Sequence, residues 1–63
     1  MKVTIIDLTA KKIISVVEMN NIPQIGSSIF LFRAKSEFKV HDVVFFIDEE
    51  KQNETEVTLY VSK

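Results

Sequence analysis

Between Phe38 and Ile47 the apolar side chains keep a strict period of two, break it once, and resume it. Phe38 and Val40 are in phase with one another, and so are Val43, Phe45 and Ile47, but the step across His41-Asp42 is one residue too long. Successive side chains of a strand point to opposite faces, so a flat strand would put Val40 and Val43 on different sides of a sheet. A β-bulge at His41-Asp42 takes up the extra residue, restores one apolar face and bends the strand. Bent strands of this kind let a small sheet curl toward a barrel. The run predicts a curved, all-β fold.

Size sharpens that expectation. A chain of 63 residues forms one domain, residues 1–63, and buries only about 60% of its unfolded surface, so stability is marginal. There is no cysteine and one histidine, so neither disulfides nor a Cys/His zinc site can supplement the core. A dense apolar core or self-association must supply what is missing. No apolar run approaches the roughly 18 residues of a membrane span. The start, Met1-Lys2-Val3-Thr4-Ile5-Ile6-Asp7, lacks the long apolar core of a secretory signal, and the expected location is the cytoplasm. A net charge of -1 gives no overall field that would attract a polyanion.

The apolar clusters are short, β-branched and aromatic, which favours strands over helices. Five strands are expected: about Lys2 to Leu8, Lys12 to Met19, Ser28 to Ala34, Phe38 to Ile47 and Thr55 to Ser62. Thr9-Ala10-Lys11 forms a tight connection between the first two, and Asn20-Asn21 ends the second. Between the second and third strands lies Ile22-Pro23-Gln24-Ile25-Gly26-Ser27, with the only proline and the only glycine of the chain. Proline belongs outside a central strand, and glycine three residues later suits a positive φ or a close backbone approach. Ile22 and Ile25 are expected to anchor this loop on the core. Residues 48–54 are uniformly polar and read as a mobile hairpin loop.

Strands two to four carry apolar residues on both faces. If Ile29, Leu31, Val43, Phe45 and Ile47 face the core, then Phe30, Phe32, Val44 and Phe46 face away. In strand two, simple alternation places Ile14 and Val16 opposite Ile13 and Val17. Two readings follow. Strongly bent strands bury each face in turn, or the second face is an exposed patch of the sort that marks an interface. On the interface reading, Phe30, Phe32, Val44 and Phe46 are the contact residues.

Residues Ile22-Pro23-Gln24-Ile25-Gly26, leading into Ser28-Ile29, and then Phe38-Lys39-Val40-His41-Asp42-Val43-Val44-Phe45 make a pattern. A proline-glycine turn opens a strand, and an aromatic-x-Val-x-x-Val-x-aromatic strand follows. Over residues 22–47 the chain resembles short bacterial and phage proteins with SH3-like barrels. An acid often follows the glycine in such proteins, where Ser27 stands here. The resemblance implies a small five-stranded SH3-like barrel and the role of an adaptor, a phage accessory protein or an inhibitor of host defence. It carries over no catalytic residue.

The chemistry-bearing side chains are few. Adjacent on an extended strand, His41 and Asp42 point to opposite faces and cannot form the orienting hydrogen bond of a catalytic triad. Asp48, Glu49, Glu50, Glu54 and Glu56 form an acidic stretch without the glycine of a tight calcium loop. Arg33, Lys35 and Lys39 gather near one turn and, beside Phe32 and Tyr60, make a basic patch of the kind single-strand nucleic-acid binders use. The single glycine excludes the usual phosphate-cradling loop. The sequence thus points to a non-enzymatic protein-binding module, monomeric or homo-oligomeric, with no cofactor and no metal. A nucleic-acid-binding barrel using Arg33, Lys35 and Lys39 is the alternative.

Overall fold

The computed structural model describes residues 1–51 and 54–63. Five strands follow in chain order: β1 (Lys2–Asp7), β2 (Lys12–Glu18), β3 (Ser28–Leu31), β4 (Ser36–Phe46) and β5 (Glu56–Ser62). They form one mixed sheet in the order β2-β1-β5-β4-β3. Neighbours are antiparallel except β1 and β5, which run parallel at the centre. The sheet curls into a half-barrel, as expected for a small SH3-like barrel, and no ladder joins β2 to β3 among the described residues.

The core lies on the concave face. Val3 and Ile5 of β1, Phe38 and Val40 of β4, and Val57, Leu59 and Val61 of β5 are buried. Each of these strands contributes alternate residues, as the pleat requires. Fully burying one such side chain contributes about 1.5–3 kcal/mol, so this small set carries most of the fold's stability. Ile14, Val17, Met19, Ile22, Ile29, Leu31 and Val43 pack around it.

Two bulges produce the curl. In β4, Val40 pairs with Val61 and Asp42 with Tyr60, leaving His41 as the extra residue. The slip in the apolar pattern across His41-Asp42 is therefore a bulge. In β2, Ile13 pairs with Ile6 and Ser15 with Ile5, leaving Ile14 as the extra residue. Ile6 lies beside Tyr60, so the two bulges bend the strands flanking the central pair at nearly the same level. Both sides of the sheet fold inward along one line.

The second bulge corrects the expected phase of β2. Ile14, not Ile13, packs against the core with Val17, while Ile13 and Val16 stand exposed on the other face. The third strand is also shorter than expected, ending at Leu31 rather than Ala34. Residues 32–35 form a turn, with Lys35 at φ 52 and its amide donating to the Phe32 carbonyl at 3.2 Å. The other strand boundaries fall within two residues of expectation.

The β1–β2 turn closes in a similar way. Asp7 Oδ1 accepts from the Thr9 amide at 2.9 Å, the Lys11 amide donates to the Asp7 carbonyl at 2.7 Å, and Lys11 takes φ 55. The segment from Met19 to Ser27 crosses the concave side, and Met19 and Ile22 seal the core. Gly26 donates to the Val40 carbonyl and Val40 to the Ser27 carbonyl, both at 2.9 Å, which extends the pairing of β3 with β4. Gly26 has φ 92, and a Cβ there would meet no atom within 4 Å. Its role is the backbone angle, not close approach. Ile25 does not anchor the loop, because its side chain is exposed. Part of the expected hairpin loop, Gln52-Asn53, lies outside the described residues. Before it, Asp48 Oδ1 accepts from the Glu50 amide at 3.0 Å.

Candidate docking surfaces

The convex face of the sheet carries more apolar side chains than solvation alone calls for. The registers arrange it in rows across β2, β1, β5 and β4. Val16, Thr4, Thr58 and Val44 lie side by side, and so do Ile13, Ile6, Tyr60 and Asp42. Glu18, Lys2, Glu56 and Phe46 make a third row toward the start of β1. Lys2 Nζ and Glu56 Oε1 are 3.3 Å apart there. Ile13, Val16 and Phe46 are exposed, whereas Thr58 at the centre is buried by its neighbours.

The four residues expected to form one interface do not come together. Phe30 pairs opposite Glu37 near the beginning of β4, whereas Phe46 ends that strand. At a rise of about 3.3 Å per residue the two lie roughly 25–30 Å apart. The hairpin register causes the separation, since the turn at 32–35 lets β3 run beside only the first part of β4. Phe30 and Phe32 instead pack on each other, ring centroids 5.1 Å apart and edge to face. Phe32 is 85% exposed. Val44 is half-buried and Phe46 exposed at the far end of the strand.

The same short β3 explains a second correction. Phe45 and Ile47 were expected in the core, and Phe45 does pair opposite the buried Val57. Among the described residues no strand lies on its other side, and both side chains remain more than half exposed. Phe45 and Val43 instead line a shallow apolar groove with Ile22, Pro23, Gln24 and Ile25.

Arg33 and Lys35 lie in the β3–β4 turn, and Lys39 pairs with Ser28 on the same hairpin. The basic trio thus shares one hairpin with the Phe30–Phe32 pair, and Glu37 lies directly opposite Phe30. Tyr60, the other aromatic expected beside it, lies opposite Asp42 on the bulged part of β4. Comparison with family models, curated proteins and solved structures returns no match.

His41 and Asp42 do not bond to one another. Asp42 Oδ1 accepts from the Val43 amide at 2.9 Å, closing the bulge, while His41 Nε2 lies 2.5 Å from Ser62 Oγ. That serine–histidine contact is invisible in the sequence because strand pairing alone brings the two together. Its geometry resembles the nucleophile–base step of acyl transfer. Among the described residues no carboxylate bonds to the ring, and the pair stands exposed on a sheet surface.

Proposed function

We propose that the chain is a non-enzymatic protein-docking module that contacts its partner through exposed aromatic and aliphatic side chains. One observation carries this reading. Four of the five phenylalanines, Phe30, Phe32, Phe45 and Phe46, are at least half exposed, and only Phe38 is buried. Single exposed apolar residues are ordinary, but clustered aromatics on a small domain are the usual anchors of an interface. Phe30 with Phe32, and Val44 with Phe46, serve as two separated contacts instead of one patch. A role as an adaptor, a phage or prophage accessory protein or an inhibitor of host defence, acting in the cytoplasm, belongs with this reading through the resemblance over residues 22–47.

The test is Phe46→Lys, with folding checked by circular dichroism. The variant should keep its β-sheet spectrum and lose self-association in light scattering or capture of the partner. Loss of the fold would place Phe46 among the side chains that hold the sheet together and remove it as a contact. A second reading is favoured by the basic trio on the same hairpin as the Phe30–Phe32 pair, which suits a single-stranded nucleic acid. Affinity for an oligonucleotide that falls steeply with added salt would support it.

A further inference from the structure

The net charge of -1 conceals a strongly polarised molecule. Because β1 and β5 run parallel and β4 runs against them, the β1–β2 turn, the β3–β4 turn and the end of β5 gather at one end of the sheet. That end holds Lys11, Lys12, Arg33, Lys35, Lys39 and Lys63, six cations against three acids, Asp7, Glu37 and Asp42, the last opposite Tyr60 near the end of β5. The opposite end holds Glu18, Asp48, Glu49, Glu50, Glu54 and Glu56, six acids against two cations, Lys2 and Lys51. The side-chain balance is +3 at one end and -4 at the other, along a molecule 37 Å long.

Each end also presents apolar surface. The basic end carries the exposed Phe30–Phe32 pair. At the acidic end, Phe46 and Ile47 line an open concavity with Asp48, Glu49, Glu50, Glu54 and Glu56. The exposed aromatic pair beside Arg33, Lys35 and Lys39 is thus complementary in charge to a largely polar, carboxylate-lined hollow that Phe46 and Ile47 also line.

We propose that a second copy of this chain occupies the acidic concavity, docking head to tail through Phe32, Arg33 and Lys35. The proposal rests on the docking-module reading and names the partner. Such a contact joins different surfaces, so it extends into open chains unless a rotation closes it. Edge-to-edge pairing of sheets is the weaker route, because the bulge at Ile14 distorts the β2 edge and β3 has four residues. The molecule is 20 by 18 Å in cross-section, so an end-on contact covers roughly 400 Å² per copy, below the about 800 Å² of a standard interface. Association is therefore weak and fast, and charge steers it.

The experiment is sedimentation velocity over a concentration series, at about 10 mM salt, where charges act over about 30 Å, and at about 1 M, where they act over about 3 Å. Mass should rise with concentration at low salt and fall back toward the monomer at high salt. Two variants then test the ends: Arg33→Glu with Lys35→Glu, and Glu49→Lys with Glu50→Lys, each checked for folding by circular dichroism. Each alone should associate at least about tenfold more weakly. An equimolar mixture should recover association, because the intact basic end of one variant meets the intact acidic end of the other, and the reversed ends are complementary as well.

A wild-type chain monomeric throughout overturns the proposal, and so does a mixture of variants that stays monomeric. Association indifferent to salt and to both charge variants, yet abolished by Phe46→Lys, also overturns the head-to-tail arrangement. That last result keeps the docking reading and moves the contact to the convex face.

Discussion

Gly26 shows how much one residue can fix in a chain this short. At φ 92, with open space where a Cβ would stand, its demand is purely conformational. An L-residue in the left-handed region costs about 1–2 kcal/mol, and asparagine tolerates it better than alanine. Gly26→Ala should therefore lower unfolding stability by about 1–2 kcal/mol, or roughly 4–16 °C in melting temperature, with Gly26→Asn lying between it and the wild type. Urea titration of the three proteins measures the order, and an alanine variant as stable as wild type would show that the loop re-forms without that angle. The glycine and proline were legible in the sequence because each has a backbone requirement of its own. Ile25 was not, since an isoleucine beside a core-sealing Ile22 looks equally buried until the path of the loop is known.

The two bulges show why one element was readable and its counterpart was not. In β4 the slip falls at His41-Asp42, two polar residues between apolar runs, so the break in phase shows in the sequence. In β2 it falls at Ile14, within Ile13-Ile14, where either isoleucine fits the apolar face and the pattern keeps no record of the choice. Only the pairing of Ile13 with Ile6 and Ser15 with Ile5 resolves it. The consequence separates the neighbours cleanly. Ile14→Lys pulls a half-buried side chain off the core and should destabilise by about 1–2 kcal/mol, part of the value of a full burial, whereas Ile13→Lys, on the exposed face, should stay within about 0.5 kcal/mol. Denaturant midpoints of the two variants settle the phase of the strand, and a reversed order would return β2 to simple alternation. The four expected contact residues divide into two groups for a related reason: face could be read from alternation, but position along the sheet depended on a hairpin register that places Phe30 opposite Glu37.

At the scale of the whole molecule, stability is graded across the sheet. Central β5 is paired on both sides, with β1 and with β4, and its apolar residues Val57, Leu59 and Val61 are all buried. β2 and β3 are edges, the first interrupted by a bulge and the second four residues long. Among the described residues, the surface ion pairs Met1 with Glu18 and Lys2 with Glu56 join exposed groups and contribute about 0–1 kcal/mol each, too little to change this ranking. Local opening costs least where few buried contacts must break, and core strands exchange only near global unfolding. Amide hydrogen exchange should therefore be slowest for Val57, Leu59 and Val61, intermediate for the β2 amides bonded to β1, and fastest along β3 and the turn at 32–35. Exchange at β3 as slow as at β5 would mean that the edge is covered in solution. At low salt and high concentration, the charge-steered contact protects the turn at 32–35 while leaving β2 unchanged. A rise in protection confined to β2 would instead mark pairing along that edge, against the interruption at Ile14.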